Sequence, residues 1–329
     1  MKVLVTGGAG YVGSHTTKLL EQAGHEAWVF DSLVTGHRQA VTPGRLIEGH
    51  LGDRAEIQAA LQEHQIEAVF HFAAFALVGE SVAQPDLYYQ NNVVCTLNLL
   101  EAMRASNVNR IIFSSTTATY GEPDTIPITE DVRQEPINPY GFTKLVIERA
   151  LEDYARAYGF GYAALRYFNA AGASPSGEIG EDHDPESHLI PIVLQVALGQ
   201  REQISIFGDD YATPDGTCIR DYVHVDDLGR AHLKALDRLE TGEGMRLNLG
   251  TGRGNSVREI IEACRRVTGH SIPEVIGSRR PGDPSELIAD ASLANRVLDW
   301  QPEYTDIEGI VETAWNWHRH HPRGYASRA

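Results

Sequence analysis

Cysteine is scarce: Cys95, Cys218 and Cys264 are the only three in 329 residues. They lie far apart, match no metal-ligand spacing and frame no disulfide scaffold, which suits a reducing compartment. Positive charge is also short. Lys and Arg number 28 against 45 Asp and Glu, a formal net charge of −17. Such an acidic chain is a poor general binder of nucleic acid or of an anionic membrane. An anionic substrate would need its own local arginines. No apolar run reaches the roughly 20 residues that span a bilayer. The opening, Met1 to Thr6, goes straight into a strand pattern with no secretory leader ahead of it, so a cytoplasmic protein is expected. Internal repeats, low-complexity tracts and long linkers are missing too. What remains, 42% apolar and 22% charged, is ordinary for a globular protein with a substantial core.

Residues 2–6 read as a strand that runs into Gly7, Gly8, Gly10 and Gly13, followed by a helical pattern that stops at Gly24. Strand, glycine-rich turn and helix make the phosphate-binding first unit of a dinucleotide fold. Gly7 permits the tight turn, Gly10 lets the backbone approach a pyrophosphate, and Gly13 lets the helix pack on the strand. The helix N-terminus then faces the phosphates. A second strand, 27–31, ends in Asp31, which can accept from an adenosine ribose and repels a 2′-phosphate. With no arginine immediately after it, the cofactor reads as NAD rather than NADP.

Strands follow at 46–49, 67–74, 110–113 leading into Thr116, and 161–168, with helical patterns at 54–65, at 88–105 beginning around Asn91, and from Tyr140 to Tyr158. His71 reads as a packed strand histidine. The alternation predicts an α/β, doubly wound parallel (Rossmann) sheet. Residues 170–188 are rich in Gly, Ser, Pro and acids without apolar period, a crossing loop. Beyond it lie a helix at 189–198, strands at 204–207 and 220–225, and helices at 226–239, 256–268 and 306–320. The expected organisation is a dinucleotide-binding domain, 1–169, with a return segment near 216–240. A smaller mixed α/β substrate lobe, 170–329, covers the strand ends. His318, His320 and His321 read as a solvated tail rather than metal ligands, and no metal site is expected.

The chemistry concentrates between Thr116 and Lys144. Thr116 stands at a strand end, and Tyr140 opens a helix behind Pro139, a residue suited to a helix start. Lys144 is four residues on, hence on the same helical face. A phenol titrates near pH 10 unperturbed, and a neighbouring ammonium favours phenolate. Thr, Tyr and Lys together can move a proton on and off a sugar or alcohol hydroxyl, provided that something takes the hydride.

The G-x-x-G-x-x-G spacing and the Thr116, Tyr140, Lys144 set resemble the extended short-chain dehydrogenase/reductase family. The resemblance narrows to its UDP-glucose 4-epimerase family over nearly the whole chain. It is carried by residues 5–15, 71–74, 78–81, 113–116, 140–144, 165–169, 215–225 and 280–283. It implies an isomerase (EC 5.1.3.2) with a tightly held NAD, reduced and reoxidised within one turnover. Tyr140 takes the proton of the sugar 4-hydroxyl, hydride leaves C4, the 4-keto sugar turns over, and hydride returns to its other face. Lys144 would bind the nicotinamide ribose and lower the Tyr140 pKa, and Thr116 would hydrogen-bond the 4-oxygen. The implied NAD contacts are Gly7, Gly10, Tyr11, Val12, Gly13, Asp31, Ser32, His50, Leu51, Phe72, Ala73, Ala74, Asn91, Lys144 and Phe168. The implied UDP-sugar contacts are Thr116, Tyr140, Asn169, His188, Leu189, Ser205, Ile206, Phe207, Arg220, Arg280 and Asp283. Arg220 and Arg280 supply the local charge that a diphosphate needs.

Three positions depart from the family: Ala76 replaces a lysine at the cofactor phosphates, His50 an acid near the adenine, and His188 an asparagine. Leu287, at the position that sets sugar size, leaves UDP-N-acetylhexosamine or UDP-pentose epimerisation open. A nucleotide-sugar dehydratase or decarboxylase is a more distant reading, since Thr117-Ala118-Thr119 lacks the carboxylates that elimination uses. The two long helices near 91–105 and 140–158 either pair with a second copy as a homodimer or simply cover the sheet.

Overall fold

The structure is a computed structural model, and it describes residues 1–280 and 282–327. Strand and helix alternate through the first half: β1 (Lys2–Thr6), α1 (Tyr11–Gln22), β2 (Glu26–Asp31), β3 (Leu46–Glu48), α2 (Arg54–Glu63), β4 (Ala68–His71), α3 (Val78–Ala83), α4 (Pro85–Tyr88), α5 (Cys95–Ala105), β5 (Arg110–Thr116), α6 (Pro139–Tyr158) and β6 (Gly161–Tyr167). The second half carries β7 (Asn169–Ala171), α7 (Leu189–Ala197), β8 (Ile204–Phe207), β9 (Ile219–His224), α8 (Val225–Arg238), β10 (Gly244–Leu249), β11 (Gly254–Ser256), α9 (Val257–Thr268), β12 (Glu274–Gly277), β13 (Glu286–Leu287), α10 (Ser292–Leu298) and α11 (Ile307–His320).

Seven strands form one parallel sheet in the order β10-β6-β5-β4-β1-β2-β3. The period of two along β1 sends Val3 and Val5 into one apolar layer and Leu4 into the other. The first layer includes Leu20 of α1 and Leu228, Ala231 and Ala235 of α8. The second includes Leu61 of α2, Leu99 and Met103 of α5, and Ile147 and Leu151 of α6. Each fully buried Val, Leu, Ile or Met among them contributes about 1.5–3 kcal/mol. The doubly wound expectation therefore holds. The order reverses between β1 and β4, which opens a crevice at the carboxyl ends of the strands.

The return to this sheet differs from the expected 216–240. β9 lies instead in a small sheet with β7, β11 and β13, and the segment that rejoins is α8 with β10. β10 pairs in parallel register with β6, Leu247 beside Leu165. A separate apolar cluster joins α7, α9 and α11 through Ile190, Val193, Ile260, Ile261, Ile310 and Val311. Of the carboxyl-terminal histidines, His320 is exposed as expected of a solvated tail, but His321 is buried and stacks on Trp317 at 3.8 Å.

The long helix expected over 88–105 carries a π-helical turn at Tyr89–Val94. Its buried Asn92 accepts from the Phe75 N–H at 2.9 Å and donates to the Phe75 carbonyl at 3.0 Å and Thr143 Oγ1 at 3.2 Å. That side chain ties the loop after β4 to α6, and π turns often mark such functional positions. Helix α6 starts where the sequence places it. Asn138 caps it by accepting from the Gly141 N–H at 2.9 Å, Pro139 occupies its first turn, and Gly159 ends it at φ +73°.

Behind the catalytic strand a buried ion pair joins the layers. Arg166 of β6 meets Glu148 of α6 in a fork, Nε to Oε1 at 2.9 Å and a second N–H to Oε2 at 2.5 Å. Ser115 donates to the same carboxylate at 2.5 Å, and Arg166 donates to the Tyr120 hydroxyl at 2.8 Å. Arg166→Met strips a fully buried carboxylate of its partner. It is expected to lower the unfolding free energy by about 3–5 kcal/mol. Urea unfolding of both proteins measures this, and a loss below about 1 kcal/mol would contradict the pairing.

Candidate active site

The loops leaving β1, β2, β4, β5 and β6 surround a cavity of about 360 Å³. Gly7 sits at φ +72°, and a Cβ there would come within 2.4 Å of the Ala73 nitrogen. A Cβ on Gly13 would lie 2.2 Å from the Gly7 carbonyl oxygen. Only glycine closes this turn, and the N-terminus of α1, which lacks a capping side chain, is thereby delivered to the cavity. Asp31 lies in the cavity wall beside this turn. Its carboxylate accepts from the N–H groups of Ala9 and Leu33, both at 2.9 Å. Burial raises its pKa, opposed by those two hydrogen bonds. Arg38, the nearest cation by sequence, pairs with Glu48 and not with Asp31. A close-backbone cradle and an acid with no arginine beside it fit a dinucleotide without a 2′-phosphate.

The catalytic set converges on the same cavity. Thr116 ends β5, and Tyr140 lies in the first turn of α6. The Thr116 side chain lies close to the Tyr140 hydroxyl and favours its phenolate. Lys144 donates to the Ser114 carbonyl at 2.8 Å, and its Nζ lies 6.0 Å from the Tyr140 ring centre and 4.9 Å from that of Phe113. Desolvation pushes Lys144 down to about 7, against the opposing charge of Glu148 one turn further on. Tyr140 itself is pushed up by burial. The lowered phenol expected from its lysine neighbour is therefore not a property of the chain alone, because desolvation outweighs the favourable contribution of Thr116.

Every cofactor contact that the sequence suggests lines this cavity, Gly7, Gly10, Tyr11, Val12, Gly13, Asp31, Ser32, His50, Leu51, Phe72, Ala73, Ala74, Asn91, Lys144 and Phe168, and so do Asn169 and His188. His50 is an exposed residue at the rim and accepts from the Gly52 N–H at 2.9 Å. Leu189, Ser205, Ile206, Phe207, Arg220, Arg280 and Asp283 lie outside the cavity wall. Strand alternation in β8 sends Ile206 into the core and leaves Ser205 and Phe207 exposed. Arg280 lies over the Phe207 ring at 4.1 Å. Arg220 pairs with Asp283 and donates to the carbonyls of Ile219 and Pro284 at 2.7 and 2.8 Å. Pro281, within the 280–283 motif, lies outside the described residues. Leu287 packs on the cluster containing Phe168 and Tyr120. His71, as expected, is a packed residue: its two ring nitrogens meet Thr6 and Thr96 hydroxyls at 2.7 and 2.8 Å, and burial holds it at about 3.

Sequence reading missed Ser114 and Tyr167, whose hydroxyls hydrogen-bond to each other in the cavity wall. The parallel register of β5 and β6 sets Tyr167 beside Thr116, so counting along both strands would have found it. Val34, Thr35, Gly36, Phe75, Glu181 and His183 also line the cavity from irregular segments, where no periodicity points to them.

An architecture of this kind has known counterparts. Residues 3–250 match the NAD dependent epimerase/dehydratase family, and the chain belongs to it. At 54% identity, 99% of this chain aligns with 98% of the UDP-glucose 4-epimerase of Halalkalibacterium halodurans. The solved UDP-glucose 4-epimerase of Brucella ovis in complex with NAD is 51% identical, with a TM-score of 0.93 over 96% of this chain and 98% of that one. The enzyme of Bifidobacterium longum in complex with NAD+ and UDP is 39% identical, with a TM-score of 0.94 over 99% of this chain and all of that one.

Lys144 titrates in the folded chain below its unfolded value of 10.5, so it favours folding fully above 10.5 and loses that contribution as pH falls through about 7. In protein stripped of nucleotide, Lys144→Met should add most stability below pH 7. The gain should shrink as pH rises towards 10.5. Urea unfolding at a series of pH values measures it; a gain constant over that range would contradict the buried ammonium.

Proposed function

We propose that this protein interconverts UDP-glucose and UDP-galactose as an NAD-dependent, cytoplasmic UDP-glucose 4-epimerase. The observation that carries this reading is the meeting of Thr116, Tyr140 and Lys144 with the glycine cradle and Asp31 on one cavity. Full-length relatives of that name support it. Carboxylate chemistry for elimination has no counterpart at residues 117–119, and the cavity-wall acids, Asp31 and Glu181, lie on other loops.

Bound NAD supplies the hydride acceptor at the sugar C4 and, when oxidised, a second positive charge. The chain does the rest. Tyr140 accepts the 4-hydroxyl proton and later returns it, while Thr116 holds the same oxygen. Lys144, fixed on the Ser114 carbonyl, holds its charge beside the phenol and offsets the cost that burial imposes on phenolate. Asp31 and the residues around the glycine turn hold the dinucleotide. Arg220 and Arg280 grip the diphosphate, with Asp283 beside the ribose and Ser205, Ile206 and Phe207 along the uracil. Asn169, His188 and Leu189 border the sugar end. Anchoring at the nucleotide leaves the sugar free to turn, so that one residue pair serves both faces of C4. As a structure, this chain contributes orientation and proton transfer, and the hydride stays within one site.

A second copy pairs through α5 and α6. Tyr89, Val94, Leu97 and Phe142 are apolar and exposed, and the Tyr89 ring packs edge-on to Phe142 at 6.4 Å.

Purified protein is expected to equilibrate UDP-glucose and UDP-galactose with no external oxidant or reductant, read by chromatography of the nucleotide sugars. No exchange at saturating NAD would overturn the assignment. Tyr140→Phe should lower kcat about a thousand-fold while retaining bound NAD; a loss of less than about ten-fold would mean that another group moves the proton. Leu97→Glu with Phe142→Glu should convert a dimer into a monomer in light scattering, and an unchanged mass would exclude this face as the interface.

A further inference from the structure

Outside the proton-transfer set, a second cluster borders the cavity, and the epimerase reading uses only its His188. Glu181, His183, Glu186 and His188 bring one donor atom each to within 4.8 Å of one another. We propose that they form a site for a divalent metal of the zinc(II) class, which fixes the loop between β7 and α7 over the cavity.

The spacing is that of a coordination shell. His183 Nδ1 stands 3.3 Å from Glu181 Oε1 and 3.7 Å from Glu186 Oε2. His188 Nδ1 stands 3.4 Å from Glu186 Oε1 and 2.7 Å from Glu181 Oε1. Ligands about 2.0–2.1 Å from a tetrahedral ion are about 3.3–3.4 Å apart, so small rotations of these side chains complete the tetrahedron. Two imidazoles and two carboxylates are ordinary zinc donors, and together they carry the two negative charges that a dication neutralises.

The cluster also leaves polar atoms unused. Glu181 is 4% exposed, and its Oε1, like the buried His183 Nδ1, has no hydrogen bond of good geometry although other donors of the cluster lie close by. Buried polar atoms in folded proteins rarely go without a partner. An ion at the centre of the four supplies one to both.

The supporting shell is rigid. The Glu181 carbonyl accepts from Trp317 Nε1 at 3.2 Å, and Gly180 lies so close to that indole that a Cβ would come within 2.3 Å of it. On either side of the intervening residue, Glu181 and His183 turn to the same centre, while the Asp182 carboxylate accepts from the Tyr325 N–H at 2.8 Å. Glu186 Oε1 is oriented by the N–H groups of Ser187 and His188 at 2.7 and 2.8 Å. Metal ligands are held by such outer contacts. Four protein donors make a closed, structural site rather than a catalytic one. Its ion would lock His188, the residue just before α7, and the ring of His183, which faces the edge of Tyr11 at 6.2 Å in the dinucleotide cradle.

The test uses untagged, NAD-loaded, full-length protein dialysed against chelator and titrated with zinc chloride alone. Calorimetry, and metal analysis after gel filtration, should find one zinc per chain. His183→Ala and Glu181→Gln should each weaken binding roughly a hundred-fold or more, while His320→Ala, an exposed histidine away from the cluster, should leave it unchanged. Circular dichroism and NAD retention confirm that the variants fold. Cobalt(II) gives a second reading on the unaltered chain, with the strong visible bands of a four-coordinate site expected. Failure of the unaltered protein to hold zinc through gel filtration overturns the proposal and leaves two imidazolium–carboxylate pairs. Equal affinity in a folded His183→Ala variant overturns it as well.

Discussion

The structure depends on keeping an ammonium where water does not reach. Lys144 is buried, and it donates to the Ser114 carbonyl at 2.8 Å. That bond fixes the rotation of α6 against the end of β5, and the rotation fixes where Tyr140 meets Thr116. The charge is costly to bury, as the fall of Lys144 to about 7 records. Glu148, one helical turn along, opposes that fall, but Glu148 is itself engaged by Arg166 and Ser115. A chain of buried polar contacts thus runs from the proton-transfer pair through α6 to β6.

The sheet supplies the other half. Its reversal of strand order between β1 and β4 leaves the crevice where the glycine turn, Asp31 and the end of β4 come together. The net charge of −17 sets the opposite problem for an anionic ligand. The end of α1 brings positive charge to the cradle, and in the proposed function Arg220 and Arg280, in the second half of the chain, bring it to the diphosphate. Arg220 is already oriented by Asp283 and two carbonyls, while Arg280 lies on an aromatic face. Arginine suits both settings, since its planar fork keeps its charge while it packs.

Much of this was legible before any coordinates. Gly7, Gly10 and Gly13 announce a backbone approach that no side chain tolerates, and Tyr140 and Lys144 announce a shared helical face. Local chemistry at fixed spacing is what a sequence displays best. Partners brought together from afar are what it hides. β10 joins the sheet beside β6 across more than 70 intervening residues, and its short run carries no mark of its destination. The helical run is continuous as expected, but no pattern announces the π turn at Tyr89–Val94 within it or the long-range partners of its buried Asn92. Tyr140 shows the limit for electrostatics: a lysine four residues away suggests a lowered pKa, but desolvation is a property of the folded surroundings and runs the other way. Glu181 and His183 sit in an aperiodic loop, and only folding shows them facing His188 and Glu186.

The central claim is that one site removes and restores the hydrogen at a single sugar carbon while Tyr140 handles only the hydroxyl proton. Following UDP-galactose labelled with deuterium at C4 through turnover in ordinary water tests it most directly. The account predicts UDP-glucose that retains the label at C4, because hydride leaves and returns without meeting solvent. Product that has lost the deuterium to water would contradict it and point to proton abstraction from carbon.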